Sequence, residues 1–255
     1  MGRRLGQHFL RSQSILARIA GAACPAPCDL VIEIGPGKGA LTAHLLQRAA
    51  RVVAIEVDPV LIHYLRQRFR EDPRLEIVDG DVLKTDLAQW GRAAIAGNLP
   101  YYITSPILER VFALGAEWSH AVLLMQKEVA ERLVAPPGVR AYGYLTVQTR
   151  LFAVPELLFP VPRAAFHPPP NVESAVVRLT PRNAAAEFGV ADAAGFLKFA
   201  SLCFQHKRKT LRNNLAGAYG KERVDALAQA KRRAEQLSMA ELAALYHALS
   251  GSAAI

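Results

Sequence analysis

The sequence is poor in cysteine, carries fewer acids than bases, and contains no long apolar run. Its three cysteines are Cys24, Cys28 and Cys203. An odd count without framework spacing argues against a disulfide-built scaffold and fits a reducing compartment. Cys24-Pro25-Ala26-Pro27-Cys28 has the form of half a metal site, but no second Cys/His pair follows it, so no metal is expected. The histidines, including His44, His63 and His120, show no ligand spacing. No stretch reaches the roughly 18–20 apolar residues of a membrane helix. The N-terminus lacks the apolar segment of a signal peptide. The expectation is a cytoplasmic protein without membrane association. Asp+Glu number 22 against 31 Lys+Arg, a net charge of +9. A surplus of that size points to a polyanionic partner.

What is present is a chain of 255 residues, 51% apolar, long enough for a full-sized core in one or two domains. Short β-branched runs at 29–34, 51–57, 75–78, 93–97 and 121–125 read as buried strands. Helix-period segments at 40–48, 60–70, 106–114 and 127–134 separate them. Ser105-Pro106 has the look of a helix start. This alternation predicts a doubly wound parallel α/β sheet. A helical stretch at 142–152 and two late strands at 154–161 and 175–180 follow, with the proline-rich loop Phe166-His167-Pro168-Pro169-Pro170 between those strands.

Near residues 181–187 the strand pattern stops. The rest reads as helix, with Phe196, Phe199, Leu202 and Cys203 on one face and a capping box at Ser238-Met239-Ala240-Glu241. From Arg182 onward there are eleven Lys/Arg and six Asp/Glu. The expected organisation is an α/β domain over residues 1–181 and a small, basic, all-helical domain over 186–255.

The first chemistry-bearing motif is Val31-Ile32-Glu33-Ile34-Gly35-Pro36-Gly37-Lys38-Gly39-Ala40-Leu41-Thr42, a buried strand that breaks into glycines before a helix. Glycine lets backbone and ligand approach without a β-carbon between them, and the helix behind presents free N–H groups. Gly35, Gly37 and Gly39 are the candidates here. The spacing also fits the dinucleotide fingerprint, so this motif alone leaves a nicotinamide cofactor open. Glu56 closes the second strand, where a carboxylate can accept both hydroxyls of a ribose. Asp81, with Val82 beside it, closes the third, where a carboxylate can meet an adenine amino group. Asp58 reads better as a helix cap. Three successive strand ends carrying Gly, Glu and Asp describe a nucleoside site.

The second motif is Asn98-Leu99-Pro100-Tyr101, at the end of the fourth strand. An exocyclic amine on a base is a poor nucleophile, because its lone pair is delocalised into the ring. Acceptors on its N–H bonds turn that lone pair toward an electrophile. The Asn98 side-chain oxygen and the Leu99 carbonyl suit this role. Pro100 stiffens the turn, and Tyr101 offers a face for stacking. The two motifs together predict methyl transfer from S-adenosylmethionine to an exocyclic amine, by direct displacement at carbon, without a metal.

With these residues in view, the chain resembles the ribosomal RNA adenine N6-dimethyltransferases. The resemblance is carried by Leu5-Gly6-Gln7-His8-Phe9-Leu10, by the glycine turn, by Asn98–Tyr101, and by the late loop Phe166-x-Pro168-x-Pro170-x-Val172-x-Ser174. Cys203-Phe204-Gln205-His206-Lys207-Arg208-Lys209-Thr210-Leu211-Arg212-Asn213 is similar to the bacterial small-subunit branch rather than the macrolide-resistance branch. The resemblance implies a Rossmann-like class I methyltransferase fold. It implies that His8, Leu10, Gly35, Glu56, Asp81 and Asn98 line the S-adenosyl-L-methionine site, and that Phe166 walls the adenosine pocket. It implies a substrate, too: two adjacent adenines in a hairpin loop near the 3′ end of small-subunit ribosomal RNA, in a late assembly particle. Lys207, Arg208, Lys209 and Arg212, and also Arg3 and Arg4, would then contact phosphates, with the chain acting as a monomer. Competing readings are action on large-subunit RNA or DNA, a non-catalytic assembly factor, and a nicotinamide oxidoreductase.

Overall fold

The computed structural model of the chain describes residues 8–250. Leu5, Gly6, Gln7, Arg3 and Arg4 lie outside the described residues. The chain divides into two compact units. One runs to Ala130 and resumes over Pro155–Pro181. The other takes Glu131–Val154 and everything described from Arg182 onward.

The sheet-bearing part of the chain runs β1 (Phe9–Leu10), α1 (Gln13–Ala23), β2 (Cys28–Ile34), α2 (Ala40–Leu45), β3 (Ala49–Glu56), α3 (Pro59–Arg68), β4 (Leu75–Asp79), β5 (Ala93–Asn98), α4 (Thr104–Phe112) and β6 (Trp118–Gln126). After α5 (Lys127–Val134) and α6 (Tyr144–Phe152) come β7 (Ala153–Val161), β8 (Phe166–His167) and β9 (Ser174–Pro181). Seven strands form one sheet in the order β4-β3-β2-β5-β6-β9-β7. The five from β4 to β6 are parallel, and β9 runs antiparallel to β6. Val31, Ile32, Val52, Val53, Ile95, Val122 and Leu123 are buried, as continuous β-branched runs are when helices cover both faces.

Strand order reverses between β2 and β5, and in such sheets ligands bind where the order reverses. Register makes this concrete. Ile34 pairs with Gly97 on one side and with Ile55 on the other. The residues that follow, Gly35, Asn98 and Glu56, therefore emerge together at the carboxyl edge. Gly97 permits this closeness, since a β-carbon there would lie 2.6 Å from the Ile34 carbonyl oxygen. A separate two-stranded ladder pairs β1 with β8, Phe9 opposite His167 and Leu10 opposite Phe166.

The second unit continues with α7 (Ala184–Glu187), α8 (Ala193–Phe204), α9 (Leu211–Tyr219), α10 (Lys221–Asp225) and α11 (Met239–Ser250). Phe196, Phe199, Cys203, Leu211, Leu242 and Leu245 make its core. The capping box forms: Ser238 Oγ accepts the Glu241 N–H at 3.2 Å, and a Glu241 carboxylate oxygen accepts the Ser238 N–H at 2.8 Å.

Two expectations need correction. The domain boundary drawn at 181 assigns residues 131–154 to the sheet. They belong instead with the helices, because Tyr142, Val147 and Leu151 bury their side chains in the helical core. Helix α4 starts at Thr104 with Pro106 in its first turn, but Ser105 does not cap it. A tight turn over Tyr101–Ile103 runs straight into it, and Thr104 Oγ1 donates to the Pro100 carbonyl at 3.3 Å.

Candidate active site

The carboxyl edge of β2, β3 and β5 opens into a cavity of about 360 Å³. That lies in the range of roughly 300–1,000 Å³ found for small-molecule sites. Its walls include His8, Leu10, Gly35, Gly37, Glu56, Asp81, Val82, Asn98, Leu99, Pro100 and Tyr101, so most of the expected site residues converge on it.

Glu56 is almost fully buried. One carboxylate oxygen accepts from the backbone of Val57 at 2.9 Å and Asp58 at 3.1 Å. The other accepts from Gly37 N–H at 3.1 Å. The strand-end acid thus pins the glycine turn to its own strand. A carboxylate has about four acceptor positions, so capacity remains for hydroxyl donors. Asp81 accepts from Leu83 N–H at 3.0 Å, which fixes the loop after β4. Asp58 caps α3 by accepting from Val60 N–H at 2.9 Å. Gly35 and Gly37 both sit at positive φ, +65° and +58°. A β-carbon on Gly37 would press against the Phe9 ring at 3.1 Å.

Gly39 departs from its expected role. It does not line the cavity. Its φ is +74°, and a β-carbon there would strike Phe69 at 2.5 Å and Leu65 at 2.9 Å. This glycine lets the start of α2 pack on α3. Phe166 departs as well. Facing Leu10 across the β1–β8 ladder, it is buried in the core, while its neighbours His167 and Pro168 reach the cavity.

Another wall of the cavity is built around Asn98. Its Nδ2 donates to the His8 carbonyl at 3.0 Å. The amide is thereby oriented with its nitrogen toward the N-terminal segment and its oxygen turned away from it. Leu99 is anchored by its N–H to the Leu124 carbonyl at 2.9 Å. Tyr101 Oη and Ser174 Oγ lie 2.6 Å apart. Burial raises the phenol's pKa, against the weaker pull of that hydrogen bond, so Tyr101 is neutral. The His8 ring stacks on Tyr101 at 6.0 Å between centroids and 28° between planes. His8 Nδ1 also donates to the Pro168 carbonyl at 2.8 Å.

Sequence reading did not name Phe9, Glu33, Val57, Tyr102 or Pro168 as site residues, although the first, second and last lie in its motifs; all five line the cavity. Glu33 stands out among them. It is fully buried, accepts from Thr42 Oγ1 at 2.6 Å, and burial lifts its carboxyl to about 7. Its place one residue before the end of β2 was the available signal.

In the helical unit, Lys207, Arg208 and Lys209 are exposed on the turn between α8 and α9, and none is in an ion pair among the described residues. Arg212 differs. Its guanidinium grips both carboxylate oxygens of Asp225, one at 3.0 Å, so it is not a free phosphate contact.

A doubly wound sheet with this strand order, a glycine turn at its reversal point and acids on the next two strand ends defines the Rossmann-like class I methyltransferase fold. A family model described as ribosomal RNA adenine dimethylase matches residues 2–250, and the chain belongs to that family. A protein of Chlorobium chlorochromatii named ribosomal RNA small subunit methyltransferase A is 41% identical over 248 residues, 96% of this chain and 92% of the relative. One of the same name from Levilactobacillus brevis is 45% identical over 226 residues, 86% of this chain and 76% of its own. Among solved structures, a dimethyladenosine transferase from Plasmodium falciparum aligns at TM-score 0.79 and 27% identity, covering 92% of this chain and 94% of its own. The 23S rRNA methyltransferase ErmE aligns at TM-score 0.72 and 28% identity, covering 94% of this chain and 99% of its own.

Proposed function

We propose that this chain transfers methyl groups from S-adenosyl-L-methionine to N6 of two adjacent adenosines in a hairpin loop near the 3′ end of small-subunit ribosomal RNA. The product is N6,N6-dimethyladenosine, formed during late subunit assembly. The observation that carries the reading is Asn98, anchored to the His8 carbonyl at the strand end beside the glycine turn. We place the enzyme in the cytoplasm, acting as a monomer; no described helix is long and apolar enough to cross a membrane.

The cavity suits the cofactor. Gly35 and Gly37 admit a close backbone approach; in this reading Glu56 takes the ribose hydroxyls, Asp81 and Val82 take the base, and Leu10 supplies an apolar wall, all of them lining the one cavity. When bound, the cofactor supplies a methyl group on a positively charged sulfur, an electrophile that needs alignment rather than acid catalysis. Asn98 Oδ1 and the Leu99 carbonyl accept the N–H bonds of the adenine amine and expose its lone pair. Tyr101, held by Ser174, provides the stacking face. After one transfer a single N–H remains to be held, so the pocket tolerates a methyl where a proton was. The target adenine leaves its stack to enter, as base-modifying enzymes require, and a hairpin loop makes that inexpensive. Lys207, Arg208 and Lys209 bind phosphates and position the RNA without reading sequence.

The test supplies methyl-labelled cofactor and small subunits from cells lacking the modification, then maps the labelled nucleosides. Dimethyladenosine at two adjacent positions supports the reading. Particle binding without label points to a non-catalytic assembly factor, and label on large subunits instead moves the substrate.

A further inference from the structure

Tyr102 has no part in the scheme above, yet it lines the same cavity. It is 63% exposed, the most exposed aromatic among the large hydrophobics of the described residues. Its backbone is not loose. It is the middle residue of the tight turn Tyr101–Ile103, closed by Ile103 N–H donating to the Pro100 carbonyl at 3.2 Å and braced by Thr104 Oγ1 on the same carbonyl. The turn therefore presents two consecutive tyrosines in different states. Tyr101 is half-buried, with its hydroxyl tied to Ser174 and one face against His8. Tyr102 stands at the rim with its ring in solvent.

Extruding one base from a strand breaks its stacking on the neighbours as well as its own. An aromatic ring at the pocket mouth can restore that loss for the neighbour, because every base has a face to stack and sequence is not consulted. We propose that Tyr102 is the stacking platform for the nucleotide adjacent to the flipped target, a second base subsite at the rim of the cavity. This rests on the reading of the cavity as an adenine-acceptor site. Tyr102 is a positioning residue: it holds the strand so that the target reaches Asn98, and it touches no reacting atom.

The experiment uses the full chain as wild type, Tyr102→Ala and Tyr102→Trp. A short single-stranded oligoribonucleotide carries an adenine target with 2-aminopurine beside it, and methyl transfer to undermethylated small subunits is followed in parallel. For the wild type and Tyr102→Trp, the fluorescence of 2-aminopurine is quenched on binding. In Tyr102→Ala the quenching disappears and the RNA KM rises about 5- to 30-fold, the lower part of what one base–aromatic stack is worth. Affinity for S-adenosylhomocysteine stays at the wild-type value, which shows that the fold is intact. Equal quenching and equal KM in wild type and Tyr102→Ala overturn the proposal. So does failure of Tyr102→Trp to retain wild-type behaviour. Tyr102-dependent quenching without methyl transfer by the wild type keeps the subsite and removes the catalytic reading instead.

Discussion

The side-chain amide of Asn98 donates to the backbone carbonyl of His8 at 3.0 Å, although ninety residues separate them. The ladder between Phe9–Leu10 and Phe166–His167 holds the N-terminal segment where this bond forms. The segment thus orients the Asn98 amide as well as walling the cavity.

A prediction separates the His8 backbone from its side chain. Deleting residues 1–8 removes the carbonyl and releases the amide, and turnover at saturating RNA, where the lost Arg3 and Arg4 contacts act on KM instead, falls about 100-fold, the scale set by misplacing a catalytic group by an ångström. His8→Ala keeps the carbonyl and loses only the Pro168 hydrogen bond and the packing on Tyr101. Its turnover falls less than about tenfold. Steady-state rates on undermethylated small subunits check the pair, and equal losses would refute the backbone assignment.

Glu33 makes stability depend on pH. Burial raises its carboxyl to about 7 from 4.5, the Thr42 hydroxyl opposes the shift and the Glu56 charge adds to it. The folded state holds this proton more tightly than the unfolded state. Its contribution is therefore complete below pH 4.5 and is lost as pH rises through about 7. The difference is on the order of 3 kcal/mol. Urea unfolding at pH 5 and pH 8 measures it. Glu33→Gln should flatten the pH slope of wild type, and an unchanged slope would contradict the assignment.

Gly35 and Gly39 should respond differently to alanine. Gly39→Ala places a β-carbon at φ +74° and against Phe69 and Leu65. It should cost about 2 kcal/mol of stability or more with little change in cofactor affinity per folded molecule. Gly35→Ala, on the cavity wall, should weaken cofactor binding more than it weakens the fold. Thermal unfolding with calorimetric binding distinguishes the two.

The salt dependence of RNA binding sorts the basic residues. Replacing Lys207, Arg208 or Lys209 by Gln should reduce the slope of log affinity against log salt by about one unit per lost phosphate contact. Arg212→Gln should leave the slope unchanged, because Asp225 already occupies that guanidinium. A reduced slope in Arg212→Gln would show that RNA displaces the ion pair.

What the sequence disclosed and what it hid have physical explanations. That Glu56, Asp81 and Asn98 meet at one cavity was legible because the β-branched runs made the strand ends readable and strand ends of a doubly wound sheet share one edge. Gly39 misled because a glycine needed for helix packing and one needed for ligand approach look alike within a turn. Phe166 misled because its ring is taken up by the core that forms around a ladder with β1, a pairing that spans most of the chain. Residues 131–154 were assigned to the wrong unit because their amphipathic helices show an apolar face but not what covers it. Glu33 and Tyr102 passed unnoticed as site residues. The order of residues shows neither how deeply the Glu33 carboxyl is buried nor that the Tyr102 ring is left in solvent.

The most direct test of the central claim is single-turnover methyl transfer by Asn98→Ala on undermethylated small subunits, with cofactor affinity measured on the same preparation. The account predicts a rate about 100-fold below wild type or lower, the scale of losing one preorganised hydrogen-bonding group at the reacting centre, with only modest loss of cofactor affinity. A wild-type transfer rate from Asn98→Ala would contradict it.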